Sequence, residues 1–300
     1  MILFASDKVH VGIAPIGWTN DDMPELGGDI PFERCIREMA EAGYSGTEVG
    51  SKFPKDLGGL RSALDPLGLR VASQWFSSYC TTQPLQETVD RFMEHIHFLH
   101  ALGSRVIVVS EQGHSIQGEM STALFRNKPS LDSDGWKRLV HGLETLGRLA
   151  AERDMSIVIH HHMGTVIQSR AEVDRLMETT DSDLVSLLLD TGHIHCAGDD
   201  PANLARDYAV RIKHVHLKDV REKVRKKVRE EGLSFLQGVK DGLFTVPGDG
   251  DIDFRPVVDA LGGARYEGWL IVEAEQDPNR AIPLEYAKKA RNTVYELTGL

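Results

Sequence analysis

Ser156–Asp190, SIVIHHHMGTVIQSRAEVDRLMETTDSDLVSLLLD, carries the pattern that decides the fold. Two short runs, Ser156–His161 and Val185–Asp190, enclose a longer helix-compatible segment. Both runs are nearly continuously apolar, as parallel strands buried on both faces are. Both end on ionisable groups: His160, His161 and His162 after the first, Asp190 at the close of the second.

The same unit recurs outward in both directions. Upstream, a helical pattern from about Asp134 to Glu152 precedes Ser156. Before it come a strand run Arg105–Ser110 and a helical pattern Leu85–Leu102 closed by Gly103. Arg70–Trp75 follows a helix stopped near Gly68, and Gly46–Gly50 follows a helix Phe32–Ala42 stopped by Gly43. Glycine just past a helix end is the expected C-cap chemistry, so these boundaries have a mechanism. Val11–Ile16 is the first run. Downstream lie Ile212–Leu217, Trp269–Ala274 and a last helix, Pro283–Leu297. Eight strand–helix units in 300 residues predict a (β/α)8 TIM barrel. A doubly wound sheet fits less well, because no G-x-G-x-x-G follows the first strand. No linker or low-complexity segment divides the chain, so one domain is expected over residues 1–300. Lys223–Lys240 is too long for an ordinary loop and predicts an extra helical insertion near 221–242.

Bulk composition narrows the partners. Hydrophobic content of 41% and charged content of 26% are those of a globular protein. A formal charge of −11 argues against nucleic acid, whose phosphates require a basic surface. The one basic run, Arg221–Arg229, is interleaved with Glu and reads as a solvated helix face. Cys35, Cys80 and Cys196 are odd in number and widely spaced, which suits reduced thiols in the cytoplasm. The N-terminus has no charged region leading into an apolar stretch, and no run reaches the roughly 18 apolar residues of a membrane span. A cytoplasmic enzyme of small molecules is expected, with no membrane partner; a homo-oligomer is left open.

Active sites of this barrel sit at the C-terminal ends of the strands. Seven histidines, His160, His161, His162, His193, His195, His214 and His216, fall at or just past such ends, out of 13 in the chain. Asp190, Glu273 and Glu275 join them. Residues two apart on a strand share a face, so His160 and His162 point together, as do His214 and His216, and Glu273 and Glu275. Taken singly, each has an ordinary reading: a hydrogen-bonded structural histidine, or a helix N-cap at Asp190. Taken together, four successive strands present metal-competent groups at one end, and buried charge there is costly unless paired or metal-bound. Imidazole and carboxylate without thiolate suit Mn²⁺, Co²⁺, Fe²⁺, Zn²⁺ or Mg²⁺ in a catalytic rather than a structural role. The N-terminal half offers Trp18 and Asn20 after strand one, Glu48 in strand two, Gln74 and Trp75 at strand three and Glu111 at strand four. Polar groups beside an aromatic wall suit a polyhydroxylated ring. Trp18 and Trp75 read equally well as core or lid residues, and Glu48 and Glu111 as acid/base groups, helix caps or partners of Arg and Lys.

Several segments resemble the myo-inosose-2 dehydratases: Ile13–Asp22, Gly46–Gly50, Ala72–Phe76, His160–Thr165, Phe244–Gly250 and Val272–Pro278. They span the chain from strand one to strand eight. The wider relatives are the xylose-isomerase-like barrels, which include sugar epimerases and apurinic endonucleases. The resemblance implies removal of water from 2-keto-myo-inositol (scyllo-inosose), a cyclic polyol ketone, to give a trihydroxycyclohexane-1,2-dione in inositol catabolism. It implies Mn²⁺ or Co²⁺, and glutathione as a cofactor often named for the family, although no feature of this sequence demands glutathione. Superfamily members hold their metal with Glu, Asp, His and Glu on strands five to eight. Asp190, His216 and Glu273 match the last three positions. The first is histidine here: aligning Ile157–Ile159 selects His160, which is the expected ligand, whereas aligning on Gly164 selects His161, and His162 also remains open. Glu275 rivals Glu273. His193 matches a substrate-contacting histidine of the epimerases.

Elimination beside a ketone runs most easily through an enolate, which a metal at the carbonyl stabilises. A histidine base suits neutral pH, and His162 or His193 is expected to serve. Lys218 is expected to steady an oxyanion or protonate the leaving hydroxyl, or else to pair with Asp219 or Glu275. Glu275 is also expected to contact substrate, with Trp18, Asn20, Glu48, Trp75 and Glu111. An isomerase or epimerase on the same barrel is the alternative, disfavoured by the lack of Glu at strand five. An apurinic endonuclease and a non-enzymatic metal or sugar binder are further readings.

Overall fold

The computed structural model describes residues 4–300; residues 1–3, part of the expected domain and of the N-terminal stretch read for a leader, lie outside them. The chain begins with β1 (Val9–Ile13), α1 (Phe32–Glu41), β2 (Gly46–Glu48) and α2 (Leu57–Leu64). Then follow β3 (Arg70–Ser73), β4 (Trp75–Ser78), α3 (Leu85–Ala101), β5 (Val106–Glu111) and α4 (Ser133–Ala151). The second half runs β6 (Ser156–His160), α5 (Arg170–Thr179), β7 (Val185–Asp190), α6 (Thr191–Ala197), α7 (Pro201–Asp207) and β8 (Ile212–Leu217). After it come β9 (Asp219–Val220), α8 (Glu222–Glu231), α9 (Phe235–Asp241), β10 (Phe244–Thr245), α10 (Arg255–Gly263), β11 (Gly268–Val272) and α11 (Pro283–Thr298).

Nine strands form one sheet in the order β3-β2-β1-β11-β8-β7-β6-β5-β4, every neighbour parallel. The two edges, β3 and β4, are consecutive on the chain, with Gln74 alone between them. One half of this strand pairs with β2 and the other with β5, so the sheet closes into the eight-stranded TIM barrel. Across the seam, Val108 N–H donates to Ser73 Oγ (3.1 Å) and Ser104 Oγ to the Ala72 carbonyl (2.7 Å). Arg70–Trp75 is therefore not one uninterrupted strand. The first strand also lies earlier than the expected Val11–Ile16, because Pro15–Gly17 turns into a 3-10 helix.

Alternation along the strands separates two layers. Ile157, Ile159, Leu187, Leu189, Val215 and Leu217 face the helices and belong to the large core. Val158, Leu188 and Val108 form a small cluster of their own, as do Ala14, Ala72 and Ile271. These fill the barrel interior. Trp269 closes its floor, with His10 at 5.1 Å and the Arg70 guanidinium at 5.0 Å. A Cβ on Gly46 would stand 2.3 Å from the Trp269 ring, so the floor requires glycine there. One step higher on each strand the inner positions turn polar. Above β6–β8, Phe235, Val239 and Phe244 join Met163 and Leu124 in a second apolar cluster. No helix among the described residues is long and apolar enough to cross a membrane.

Candidate metal centre and active site

The inner positions at the tops of β6, β7, β8 and β11 bring His160, Asp190, His216 and Glu273 together. One ligand atom from each lies within 4.8 Å of the others. Asp190 Oδ2 stands 3.5 Å from His160 Nε2 and 3.6 Å from His216 Nδ1; His216 Nδ1 stands 2.5 Å from Glu273 Oε2. His160 Nε2 and Asp190 Oδ2 are buried and have no hydrogen-bond partner among the described residues, and His216 Nδ1 is buried against the Glu273 carboxylate. Buried polar atoms are ordinarily paired, so two that converge without hydrogen bonds beside a crowded imidazole and carboxylate call for another explanation.

The far side of each ring supplies it. His160 Nδ1 meets the His161 carbonyl at 2.8 Å, which places the proton on Nδ1 and leaves the Nε2 lone pair facing Asp190. His216 Nε2 meets Glu48 Oε1 at 3.3 Å, and the same oxygen lies 2.8 Å from His214 Nε2. A carboxylate or carbonyl on one ring nitrogen fixes the tautomer that offers the other to a metal. Asp190 Oδ1 accepts from the His193 N–H (2.8 Å) as the α6 N-cap, which holds the carboxylate in place. Two imidazoles and two carboxylates with no thiolate fit one hard or borderline divalent cation.

Electrostatics agree with that fit. Burial and the neighbouring His216 push His160 well below the ordinary histidine range, so it is neutral. Burial opposes charge on His216, but Glu273 and Glu48 outweigh it and raise its pKa well above normal. His216 therefore carries a proton that a cation must displace. Burial alone would raise Asp190, yet Lys218 and the imidazoles hold it well below the usual carboxylate range.

Beside this group, His162, His193 and Glu275 form a second convergence. The imidazoles of His162 and His193 are 3.7 Å apart, and Glu275 Oε1 lies 3.8 Å from His162 Nε2 and 3.6 Å from His193 Nε2. His162 Nδ1 meets the Met163 carbonyl at 2.8 Å, leaving Nε2 as the free lone pair. Lys218 Nζ sits beneath, 2.9 Å from His193 Nε2, 2.8 Å from Glu273 Oε1, 3.0 Å from Glu275 Oε1 and 3.4 Å from Asp190 Oδ2. Burial would lower its pKa; the three carboxylates outweigh that and raise it above the usual lysine range. A Cβ on Gly192 would come within 2.5 Å of Lys218 Cγ, so glycine makes room for the lysine stem. Burial, with His162 and Lys218, lowers His193 to about 3.

A cavity of about 350 Å³ opens above both groups. His162, His216, Glu273, Glu275, Glu48 and Trp75 line it, together with Gln74, Asp21, Asp22, Ser51 and Gln117. Of the residues expected to touch substrate, three lie elsewhere. Trp18 is buried and its Nε1–H donates to Glu38 Oε2 (2.6 Å), away from the mouth. Asn20 Oδ1 accepts from the N–H groups of Asp22 and Met23, capping a turn. Glu111 is consumed by Ser78, Cys80, Thr81 and Gly113, which together saturate its carboxylate. His193 and Lys218, expected at the chemistry, do not line the cavity and stand behind Glu275 and Glu273. Lys218 pairs with Glu275 and not with Asp219, whose carboxylate holds four backbone N–H groups. His161 faces outward, its Nε2 accepting from the Asp190 N–H (3.3 Å). Asp22, Ser51 and Gln117 escaped the sequence reading because loop residues carry no periodicity; the one available signal was Asp21–Asp22 at the end of the first resembling segment.

Residues 36–296 match the family described as xylose isomerase-like TIM barrel. The chain is 58% identical to the inosose dehydratase of Geobacillus thermodenitrificans (strain NG80-2) over 298 residues, 99% of this chain and 100% of that one. It is 57% identical to the inosose dehydratase of Clostridium tetani (strain Massachusetts / E88), with the same coverage. Among solved structures, L-ribulose 3-epimerase superposes with a TM-score of 0.70 at 20% identity, covering 97% of this chain and 95% of that one. That likeness concerns the fold alone. Near-identity of length and more than half of all residues with the first two proteins place the chain within one family: it belongs to the inosose dehydratases, on the xylose isomerase-like TIM barrel.

Proposed function

We propose that this chain dehydrates 2-keto-myo-inositol (scyllo-inosose) to a trihydroxycyclohexane-1,2-dione, with one divalent ion held by His160, Asp190, His216 and Glu273. The observation that carries the reading is the convergence of four buried imidazole and carboxylate ligand atoms, two of them unpartnered, at an open cavity, in a family of inosose dehydratases. Mn²⁺ or Co²⁺ suits the mixed imidazole and carboxylate set. When bound, such an ion supplies Lewis acidity that stabilises negative charge developing at a ketone oxygen.

The chain supplies the proton chemistry. His162 Nε2 is the free imidazole nitrogen at the cavity, so it takes the proton from the carbon next to the ketone. The electron pair of that C–H bond forms the enolate. The enolate then re-forms the carbonyl as the pair moves toward the β-carbon, whose C–O bond breaks. His162 returns its proton to the departing hydroxide, and water leaves. The enol so formed tautomerises to the second ketone. Glu275 steadies the His162 imidazolium from 3.8 Å. Lys218 and His193 act as positioning residues that hold Glu275 in place, and Lys218 also holds Glu273.

The test is turnover of scyllo-inosose by the Mn²⁺-reconstituted protein, followed by the rise in ultraviolet absorbance of the product. His162→Gln should lower kcat by about 10²- to 10⁴-fold with metal content unchanged. Recovery of an isomer with no absorbance gain would instead mark an epimerase. Unchanged kcat in H162Q would remove His162 from the chemistry.

A further inference from the structure

The wall of the cavity contributed by the β1–β5 half of the barrel has no part in the proton chemistry above. Gln117, in the loop after β5, reaches across to Asp22 in the loop after β1, its Nε2 donating to Asp22 Oδ2 at 2.7 Å. Both residues line the cavity. A carboxylate only accepts hydrogen bonds, so this contact fixes which end of the amide faces Asp22. The other end, Gln117 Oε1, is buried and has no partner among the described residues. The loop is anchored behind it. Ile116 N–H donates to the Gly164 carbonyl (2.9 Å), and Gly164 adopts φ +84, with Gln117 N 3.3 Å from where a Cβ would stand. The amide is thus locked as an acceptor, and the group that completes it is a hydrogen-bond donor.

Resting on the dehydratase reading, we infer that Gln117, oriented by Asp22, accepts a hydrogen bond from one ring hydroxyl of the substrate and so selects polyhydroxylated cyclic ketones. Its role is specificity: it stands on the loop after β5, whereas His160, Asp190, His216 and Glu273 stand at the tops of β6, β7, β8 and β11. A locked acceptor discriminates against a ring that lacks the hydroxyl, because the buried carbonyl oxygen is then left unpaired.

The experiment compares scyllo-inosose with monodeoxy analogues, each lacking one hydroxyl away from the reacting carbons. Wild type should disfavour one analogue by about tenfold or more in kcat/KM, the worth of one buried hydrogen bond. Gln117→Leu should lose a similar factor toward scyllo-inosose, mainly in KM, and should no longer distinguish that analogue from the parent. Metal affinity and melting temperature of Q117L report its fold. If Q117L is unstable, Asp22→Asn tests the same lock: it lets the amide turn, and discrimination against the same analogue should fall. Equal losses by Q117L for the parent and every analogue, or no loss at all, would overturn the subsite. Wild-type turnover is scored separately, so its failure sinks the dehydratase reading by itself. Calorimetric titration of wild type and Q117L with myo-inositol then still decides the subsite: weaker binding by Q117L supports it, equal binding refutes it.

Discussion

Glu48 shows how much one side chain can set in this site. Its Oε1 joins His216 Nε2 at 3.3 Å and His214 Nε2 at 2.8 Å; burial alone would raise its pKa, but His216 and His214 outweigh that and leave it below the usual carboxylate range. As a carboxylate it fixes the His216 tautomer, so Glu48→Gln should weaken divalent metal binding about 10- to 100-fold. Calorimetric titration with Mn²⁺ checks this, and unchanged affinity would mean that the ring is oriented by packing alone. Lys218 is the opposite case, one cation among Asp190, Glu273 and Glu275. Lys218→Met keeps the stem and leaves buried carboxylates uncompensated, which costs about 3–5 kcal/mol in the metal-free protein. Urea unfolding with and without Mn²⁺ measures it; the loss should shrink with the ion present, since the cation takes over part of the compensation.

Between β8 and β10 a single carboxylate organises a whole element. Asp219 accepts from the N–H groups of Val220 (2.8 Å), Gly248 (3.2 Å), Gly250 (3.0 Å) and Ile252 (3.0 Å), folding the segment that follows Phe244 back onto β9. Phe244 in turn lies 5.1 Å from Lys218 Nζ and 5.0 Å from the His193 ring. Asp219→Ala orphans these amides and should cost about 1–3 kcal/mol, with amide exchange rising first over residues 248–252. Uniform exchange across the chain would show that the clamp is not local. This element also marks where sequence reading ended. Strand tops were legible because two regular signals coincide there, apolar runs closed by glycine-capped helices and inward alternation, and these place His160, Asp190, His216 and Glu273 on one face. The destination of Asp219 was not legible, since three of its four partners lie 29 to 33 residues away in a loop without period. The same holds for Gln117 and Asp22, 95 residues apart. Trp18 and Glu111 were misread for a related reason: an aromatic or a carboxylate after a strand serves a wall or a cap equally well until the fold shows what it touches.

At the scale of the molecule, the barrel buries an unusual number of neutral imidazoles, and this governs its response to acid. Burial lowers His95 and His161 to about 4 and His193 to about 3, against an ordinary value of 6.5. Each is neutral in the folded protein at pH values where the unfolded chain is already protonated. As pH falls below 6.5, the unfolded state binds protons that the folded state refuses, and stability is lost down to the folded values. These three groups alone give a slope approaching roughly 4 kcal/mol per pH unit at its steepest, since each contributes about 1.4, and His160 and His214, also lowered by burial, act in the same direction. His216 is shifted the other way; its contribution is fully present below 6.5 and is lost only as pH rises through its raised value, so it does not offset the slope. Metal-free protein should therefore unfold cooperatively between pH 6 and pH 4, as read by tryptophan fluorescence or circular dichroism. His95 lies outside the metal centre, against Phe76 at 5.3 Å, which makes it the clean probe. His95→Gln should lower the acid slope by about 1.4 kcal/mol per pH unit without changing Mn²⁺ affinity. An unaltered slope would place the acid lability in the metal centre alone, where protons and a divalent ion compete for the same lone pairs.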